Sequence, residues 1–420
     1  MNERKQPKIF YGWFIFAVCF LMVFTALGFG SGPKGLYLAA ITEDLGISRG
    51  LFSMNDSARY IATAVTNFFF GFLVVKFGAR KLVACGFISL IASMLIYSFA
   101  NDVAMFVVGG FLLGLGLAWT TTTMVGYLVE KWFASNKGTI MGIALAASGL
   151  GGALSSQVVN AMIYSESTGW RFSYRITALI LAVVGVIAVL VIRNCPADMG
   201  LEPMGERFTQ KKKKKKAQYW DGITLKEAMK KPYFYVALLC IYLTGMALQS
   251  INGVSSAHMK DSGIDTDSIA NLLSLMSLVL MASKMSAGFS YDRFGLRATL
   301  LICVSCGVVA ISCLAMVSNT LMAAIYSVII PFALPLETIM LPLIAMDLFG
   351  QKSYSKIMGI FVSVNTFGYA TGAPIMNLMY DLTGTYRPTM LVMAGTLAVV
   401  GATMQFVITA ARKARTTEKV

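Results

Sequence analysis

The amino-acid sequence predicts an all-α membrane protein whose twelve transmembrane helices form two pseudo-symmetric six-helix bundles. Three observations lead to this prediction. Of the 420 residues, 57% are hydrophobic and only 13% are charged, whereas soluble domains carry about 25% charged residues. Apolar stretches long enough to cross a bilayer recur along the whole chain. Two motifs in the first half of the chain return in the second half at one constant spacing.

A membrane-spanning helix needs about 20 mostly apolar residues, and twelve segments of this sequence meet that requirement. Six lie in a predicted N-terminal bundle, residues 1–192, and six in a predicted C-terminal bundle, residues 232–420. The polar residues 193–231 are expected to form a cytoplasmic linker between them. The predicted spans centre on 12–39, 50–75, 80–100, 103–130, 138–164, 171–192, 232–258, 266–290, 296–317, 320–347, 355–380 and 387–411.

The distribution of positive charge predicts the orientation in the membrane, because lysine and arginine concentrate in cytoplasmic loops. The basic residues in the predicted outer segments are only five, Arg49, Arg171, Arg175, Lys260 and Arg387. Both termini are therefore expected on the cytoplasmic side of the plasma membrane. This bias explains the net charge of +15 without nucleic acid as a partner.

The linker contains six consecutive lysines, 211–216. They are interpreted either as a contact to anionic lipid headgroups or as a solvated linker that reinforces the orientation. The segment LKEAMKKP, 225–232, is expected to form a short surface helix before the seventh span.

An internal repeat supports the division into two halves. The segment GFLVVKFGARK, 71–81, matches GFSYDRFGLRA, 288–298, and TIMGI, 139–143, matches KIMGI, 356–360. Both pairs are separated by 217 residues. Two segments that agree on one spacing indicate a duplicated six-helix unit, the organisation of transporters that bind substrate between two halves.

The repeated motif, between the second and third spans of each half, resembles the G-x-L-x-D-R-x-G-x-R signature of the major facilitator superfamily. The sequence is similar to that family over essentially its whole length. The resemblance implies a latch that closes the cytoplasmic side. Val75 stands where the family has aspartate, so the second copy, with Asp292, is expected to matter more. The latch residues that the resemblance implies are Gly71, Gly78, Arg80, Gly288, Asp292, Arg293, Gly295 and Arg297.

Charged residues within the predicted spans indicate the cargo. A charge at the bilayer centre costs at least about 2.5–3.5 kcal/mol, so it usually faces a cavity or a partner. Lys284 precedes Asp292 by eight residues and is expected about 12 Å from the cytoplasmic end, near mid-membrane. Three cations against one carboxylate favour an anion, most simply a carboxylate held by a charge-assisted hydrogen bond. The four charged residues are Lys34, Arg59, Lys284 and Glu337.

A narrower resemblance points the same way. Pro33–Lys34 in the first span, and Lys284 four residues before Gly288, are similar to basic positions of the monocarboxylate transporters and the oxalate:formate antiporters. Asn365 stands where the oxalate:formate exchangers carry a lysine, which favours a singly charged anion. The implied function is secondary active transport of a small monocarboxylate by alternating access, with proton symport or exchange of a counter-anion. The predicted substrate-binding residues are Lys34, Arg59, Trp119, Lys284, Glu337 and Asn365, with Glu337 as the proton-coupling candidate.

Several alternatives stay open on the sequence. Lys284 is interpreted either as a substrate ligand or as a structural partner of Glu337. Arg59 and Lys34 either face the pathway or extend towards the membrane interface. Burial and a nearby lysine change the pKa of the Glu337 carboxyl group in opposite directions, so the sequence does not decide whether this group carries a proton.

The alternative functions are an exporter of drugs or amphipathic compounds and a non-transporting nutrient sensor on the same fold. An enzyme is not expected, because one histidine and seven scattered cysteines offer no metal cluster or nucleophile–base pair. No cofactor and no metal are expected. Membrane lipids are expected partners, and the chain is expected to be a monomer.

Overall fold

The computed structural model describes residues 10–47, 49–52, 54–163, 169–204 and 222–417. Within these ranges the chain is almost entirely helical, and its β-contacts are two isolated bridges, Phe133 with Met204 and Gly222 with Gly350. Ten described helices are long and apolar enough to cross a membrane. The prediction of an all-α membrane protein is therefore confirmed.

The first half contributes six spans, numbered 1 to 6 in chain order. Span 1 leaves regular α-helical geometry in a π-helical turn, Phe24–Phe29, and the chain continues beyond Pro33 as the helix Lys34–Leu45. A short helix, Arg49–Phe52, precedes span 2. The six spans are Gly12–Phe29, Met54–Phe77, Ala79–Phe99, Val103–Trp132, Lys137–Ile163 and Trp170–Val191.

The second half contributes spans 7 to 12. The continuous helical stretch Thr266–Ala315 contains a non-helical residue, Gly295, where span 8 ends and span 9 begins. With this division, and with the 30-residue helix Tyr354–Thr383 counted as a span, the described residues provide twelve spans, as predicted. The elements are Pro232–Asp261, the two parts of Thr266–Ala315, Thr320–Ile329 with Met340–Phe349 as span 10, Tyr354–Thr383 and Arg387–Thr417.

The chain before span 7 forms the short helix Leu225–Ala228, which confirms that part of the linker prediction. Thr224 Oγ1 accepts a hydrogen bond from the Glu227 backbone N–H, and the Thr224 N–H donates to the Glu227 carboxylate. The hydrogen bond from the Thr224 backbone N–H to the carboxylate lowers the pKa of Glu227. The lysine run 211–216 lies outside the described residues, and its two interpretations stay predictions.

Spans 4 and 10 are interrupted at equivalent positions. Span 4 consists of Val103–Thr120 and Thr122–Trp132, and Thr121 between them has φ −121° and ψ −136°. In span 10 the interruption falls at Thr338, with φ −123° and ψ −70°, just before Met340–Phe349. Thr121 and Thr338 are separated by 217 residues. The spacing of the sequence repeat is therefore also the spacing of the helix breaks.

The turns after spans 2 and 8 both require glycine. Gly78 has φ 81° and Gly295 has φ 80°, a region that side chains other than glycine rarely adopt. Two residues further on, Arg80 Nε donates to the Val189 carbonyl at 2.7 Å, and Arg297 Nη2 donates to Thr409 Oγ1 at 2.6 Å.

These contacts correct part of the latch prediction. Arg80 connects span 3 to span 6, and Arg297 connects span 9 to span 12, so both arginines act inside their own bundles. Gly78 and Gly295 shape turns within the same bundles. Because a latch must join the two halves, these four motif residues do not form it.

Replacing Gly295 by alanine tests the backbone requirement. No atom lies within 4 Å of a Cβ built there, so the expected cost of about 1–3 kcal/mol comes from the strained backbone alone. The measurement is the midpoint of thermal unfolding in detergent. The matched control is Gly395→Ala, at a helical glycine that is equally free of neighbours, which is expected to gain about 0.5–1 kcal/mol. Equal midpoints for the two variants would contradict the argument.

Candidate functional site

The two halves meet along two helix pairs, span 5 with span 8 and span 2 with span 11. Both contacts depend on glycine. A Cβ on Gly288 would lie 2.2 Å from the Gly138 carbonyl oxygen, and a Cβ on Gly71 would lie 2.3 Å from Lys356 Cα. Two of the predicted latch residues, Gly71 and Gly288, therefore lie where the backbones of the two halves approach most closely.

Asp292 joins the halves at the same end of the molecule. One carboxylate oxygen accepts the Gly138 N–H at 3.1 Å, and the other accepts the Thr139 N–H at 2.6 Å. Both N–H groups belong to the first turn of span 5, where a helix favours negative charge. Val75, the equivalent residue of the first half, has no such group to offer. The geometry thus agrees with the expectation that the second motif copy matters more.

Arg293 does not take part in this contact. Its side chain is exposed, and its guanidinium lies 5.4 Å from the ring centroid of the adjacent Phe294. Only Gly71, Gly288 and Asp292 of the predicted latch set lie at the contact between the halves.

A central cavity of about 250 Å³ lies between the halves at the level of the helix breaks. Both bundles line it, and its walls combine apolar side chains with hydroxyl, amide and charged groups. Tyr60 and Tyr369 bound it on the side away from Asp292, with ring centroids 5.9 Å apart across the halves. The lining residues used below are Arg59, Tyr60, Asn67, Thr121, Glu337, Asn365 and Tyr369.

The second half brings unsatisfied polar atoms to this cavity. Glu337 is only 7% exposed, and its Oε1 is buried without a hydrogen-bond partner. Asn365 Nδ2 donates to the Tyr369 hydroxyl at 2.7 Å, while Asn365 Oδ1 is also buried without a partner. The Tyr369 hydroxyl in turn faces the Glu337 carboxyl group. Buried polar atoms without partners are costly, so these atoms mark a place that suits a polar ligand.

Arg59 is the cation that the first half brings to the cavity. Its Nη1 donates to Ser31 Oγ at 2.5 Å, and its Nη2 lies 3.3 Å from an Asp56 carboxylate oxygen. Its guanidinium stacks 4.6 Å above the centroid of the Tyr60 ring. The Nε of Arg59 is buried and has no hydrogen-bond partner. The guanidinium is therefore held in place while its Nε–H has no partner.

Asp56 corrects the predicted charge balance. The Lys34 ammonium also forms an ion pair with the Asp56 carboxylate, so two cations share one anion. The sequence interpretation counted three cations against one carboxylate and overlooked Asp56, although a position three residues before Arg59 on one helix is a usual place for a partner. Lys34 lines a separate cavity of about 30 Å³ on the far side of Arg59, and not the central cavity.

Lys284 is buried at the contact between the halves and does not line the central cavity. Its Nζ donates to Ser148 Oγ at 2.7 Å, and the Leu145 carbonyl lies at 3.5 Å, both on span 5. Among the described residues, no carboxylate oxygen lies within 4 Å of this ammonium. Glu337 still interacts with it electrostatically over a longer distance. Lys284 is thus a cation behind the cavity wall, while Arg59 lies in the wall.

Trp119 is also placed outside the cavity. Its Cβ would contact a side chain at Gly86 of span 3, at 3.1 Å from a Cβ built there. Leu117 and Thr121 of the same span do line the cavity. A helix turns about 100° per residue, so a residue two positions away from either of them faces roughly the opposite direction. The prediction of Trp119 as a cavity residue is wrong for this reason.

The sequence interpretation missed Tyr60 and Tyr369 as cavity residues. Tyr60 follows Arg59 directly, and Tyr369 lies in the glycine-rich GYATG segment, four residues after Asn365. The four-residue spacing, which places two side chains on one helical face, was a usable signal for Tyr369.

Comparison with known families decides the fold. The chain matches the model of the Major Facilitator Superfamily over residues 13–351 and 237–419. The chain belongs to the Major Facilitator Superfamily. Human monocarboxylate transporter 2 is 26% identical over 340 residues, 75% of this chain and 68% of that protein. The sialic acid transporter NanX of Escherichia coli is 23% identical over 304 residues, 71% of this chain and 67% of that protein.

A solved structure supports the Major Facilitator Superfamily fold. The proton:xylose symporter XylE bound to 6-bromo-6-deoxy-D-glucose superimposes with a TM-score of 0.75 and covers 95% of this chain and 96% of its own. The sequence identity is 14%, so this likeness concerns the fold alone. The resemblance stated from the sequence, including that to the monocarboxylate transporters, is confirmed, and the chain is a multi-pass membrane transporter of this superfamily.

Removing the Asp292 carboxylate tests the contact between the halves. Asp292→Ala loses two charge-assisted hydrogen bonds, and partial exposure to water reduces their value to about 1–2 kcal/mol in total. The conformer that is open on the Asp292 side is expected to rise about tenfold in population. The measurement is the distance distribution between spin labels at Lys76→Cys and Lys352→Cys, with the exposed Cys85 replaced by serine.

The control for this experiment is Arg293→Ala, which changes a neighbouring charge that makes no contact between the halves. It is expected to leave the distance distribution unchanged. If Asp292→Ala and Arg293→Ala gave the same distribution as the parent protein, Asp292 would have no part in closing this side.

Proposed function

We propose that the chain is a secondary active transporter that moves a small organic anion, a monocarboxylate, across the cytoplasmic membrane by alternating access. The observation that carries this proposal is the Arg59 guanidinium in the wall of the central cavity. One of its donors, Nε, is buried without a partner. A carboxylate in the cavity would accept that donor and make the charge-assisted hydrogen bond that the protein leaves unmade.

Arginine suits this role better than lysine. Its planar guanidinium presents donors in a fixed fork that matches a carboxylate, and here Ser31 and Tyr60 already orient the group. This changes the order of importance expected from the sequence. Arg59 holds the anion, and Lys284, behind the wall, adds positive potential and interacts with Glu337.

The size and lining of the cavity support a small, polar cargo. Its volume of about 250 Å³ is below the range of about 300–1,000 Å³ typical of pockets for drug-sized ligands. Asn67, Thr121 and Asn365 supply amide and hydroxyl groups to the walls. These features favour a small metabolite over an amphipathic drug. The relatives named for monocarboxylates and for sialic acid agree with an acidic cargo.

Glu337 provides the coupling in this proposal. Its unpartnered Oε1 lies in the second-half wall of the same cavity, where an ionised carboxylate would repel an anionic substrate. A proton on Glu337 removes that repulsion and provides a hydrogen-bond donor to the substrate. Proton and monoanion then cross the membrane together. The chain is oriented with both termini on the cytoplasmic side. Exchange against a counter-anion is the alternative outcome of the second test below.

The first test removes the cavity cation. Arg59→Gln is expected to weaken uptake of a labelled monocarboxylate at least about 30-fold at limiting concentration, because losing one partner of a buried charge pair costs about 2–5 kcal/mol. Uptake is measured in proteoliposomes against a panel of labelled carboxylates. The matched control is Arg175→Gln, at an exposed arginine that lies 5.1 Å from the Phe99 ring, which is expected to keep full uptake. Full uptake by the Arg59 variant would refute the binding role.

The second test concerns Glu337. An acidic outer solution is expected to stimulate monocarboxylate uptake by the parent protein, whereas Glu337→Gln transports at a rate independent of the pH gradient and still exchanges one anion for another. Lys284 and Tyr369 are the other titratable groups facing Glu337, so Tyr369→Phe shows whether the stimulation also depends on that hydroxyl. Stimulation that persists in Glu337→Gln excludes this residue as the proton carrier. If uptake by the parent protein does not depend on the pH gradient, the transporter exchanges one anion for another.

Binding without transport would indicate a sensor. A raised melting temperature with a carboxylate, combined with no uptake in proteoliposomes, is the result that would replace the transporter proposal.

A further inference from the structure

We propose that Asp56 restricts the central cavity to singly charged anions. The inference rests on the proposed function and adds to it a residue that determines which charge the cargo carries. Asp56 does not line the central cavity itself, so it acts through Arg59. Its carboxylate neutralises part of the positive charge that attracts the substrate.

The geometry places Asp56 between two cations. One carboxylate oxygen pairs with the Lys34 ammonium, and the other lies 3.3 Å from Arg59 Nη2. The side chains of Asp56 and Arg59 are 17% and 11% exposed, so this pair is largely shielded from water. Arg59 lines both the central cavity and the small cavity behind it, whereas Lys34 and Asp56 line only the small one. The cluster thus presents one cation to the substrate and keeps the other two charges behind it.

The other groups around Asp56 are neutral and occupied with one another. Tyr97 donates to Asn55 Oδ1 at 2.6 Å, and the Tyr37 hydroxyl is 2.7 Å from Ser173 Oγ. Among the described residues that line the small cavity, Lys34, Asp56 and Arg59 are the charged ones. Asp56 is therefore the group that balances part of the positive charge of the first half.

The net charge of this cluster then sets the valence of the cargo. Lys34 and Arg59 are positive and Asp56 is negative, which leaves one net positive charge in this first-half cluster whether or not Glu337 carries a proton. A monocarboxylate cancels that charge, whereas a dicarboxylate would leave an uncompensated anion in a poorly hydrated space, which is costly. Without Asp56 the surroundings carry one more positive charge, and a dicarboxylate becomes acceptable.

Butyrate and succinate test this inference, because both have four carbons and differ by one carboxylate. The measurement on the purified full chain is the concentration of each probe that gives half of its maximal rise in melting temperature. The parent protein is expected to prefer butyrate. Asp56→Asn is expected to shift the ratio of the two concentrations at least tenfold towards succinate, whereas Asp56→Glu should keep the parent ratio. Glu43→Gln, at an exposed acid on the helix that begins at Lys34, is the matched control for surface charge and should change nothing.

A second variant keeps the proposal testable if Asp56→Asn does not fold. Lys34→Gln leaves Asp56 paired with Arg59 and removes one positive charge, so the ratio should move in the opposite direction, away from succinate. The double variant Asp56→Asn/Lys34→Gln restores the parent charge and should restore the parent preference. If Asp56 were only a structural ion pair, all of these variants that fold would keep the parent ratio, and that result would overturn the inference.

The outcome also separates this inference from the proposed function. A parent protein that binds butyrate, together with an unchanged ratio in Asp56→Asn and Lys34→Gln, rejects the role of Asp56 and leaves the transporter proposal standing. A parent protein that neither probe stabilises contradicts both.

Discussion

Close backbone packing between the halves determines where this protein can hold buried charge. Gly138 against Gly288, and Gly71 against Lys356, bring helix backbones into direct contact and leave no room for side chains. A central cavity opens between the halves at the level where spans 4 and 10 lose their helical geometry, at Thr121 and Thr338. Arg59 and Glu337 lie at that level and face the cavity, whereas Lys284 is held in the contact between spans 5 and 8 by Ser148.

The two halves share one scaffold but carry different charges. Positions related by the 217-residue spacing adopt the same turns and the same helix breaks, as Gly78 and Gly295 show. The charged residues have no charged equivalent, because Lys284 corresponds to Asn67 and Glu337 to Thr120. Helix geometry therefore follows the duplication, whereas the electrostatics of the cavity arose separately in each half. The shared scaffold lets the halves move as equivalent bodies. Because their charges differ, a bound anion and a proton interact with different groups in each half.

The same comparison explains which parts of the site could be predicted. Hydropathy locates the spans, because the bilayer imposes a length on every one of them. The motif places Asp292 correctly, since a carboxylate at the end of span 8 reaches the nearest free N–H groups of span 5. The orientation of Trp119 depends on the rotation of span 4 about its axis, and an apolar span leaves that rotation undefined in the sequence.

The partner of a buried charge is harder to predict, because it depends on how distant segments fold back. Lys34 and Asp56 meet because the chain bends at Pro33 and brings the first residue of the helix Lys34–Leu45 to the start of span 2. Lys284 and Ser148 meet only across the interface between the halves. A count of charges along single spans does not show either contact, so it ranked Lys284 above Arg59, the cation that lines the central cavity.

The positions of the site groups connect binding to movement. Arg59 belongs to the first half and Glu337 to the second, and the aromatic contact between Tyr60 and Tyr369 lies directly beside both. A carboxylate that binds Arg59 and accepts a hydrogen bond from protonated Glu337 connects the two halves on the side of Tyr60 and Tyr369. On the other side, Asp292 accepts hydrogen bonds from backbone N–H groups of span 5, and the strength of these bonds does not depend on the cargo. An occupied cavity therefore strengthens one closure relative to the other, and a difference of this kind between two states is what alternating access requires.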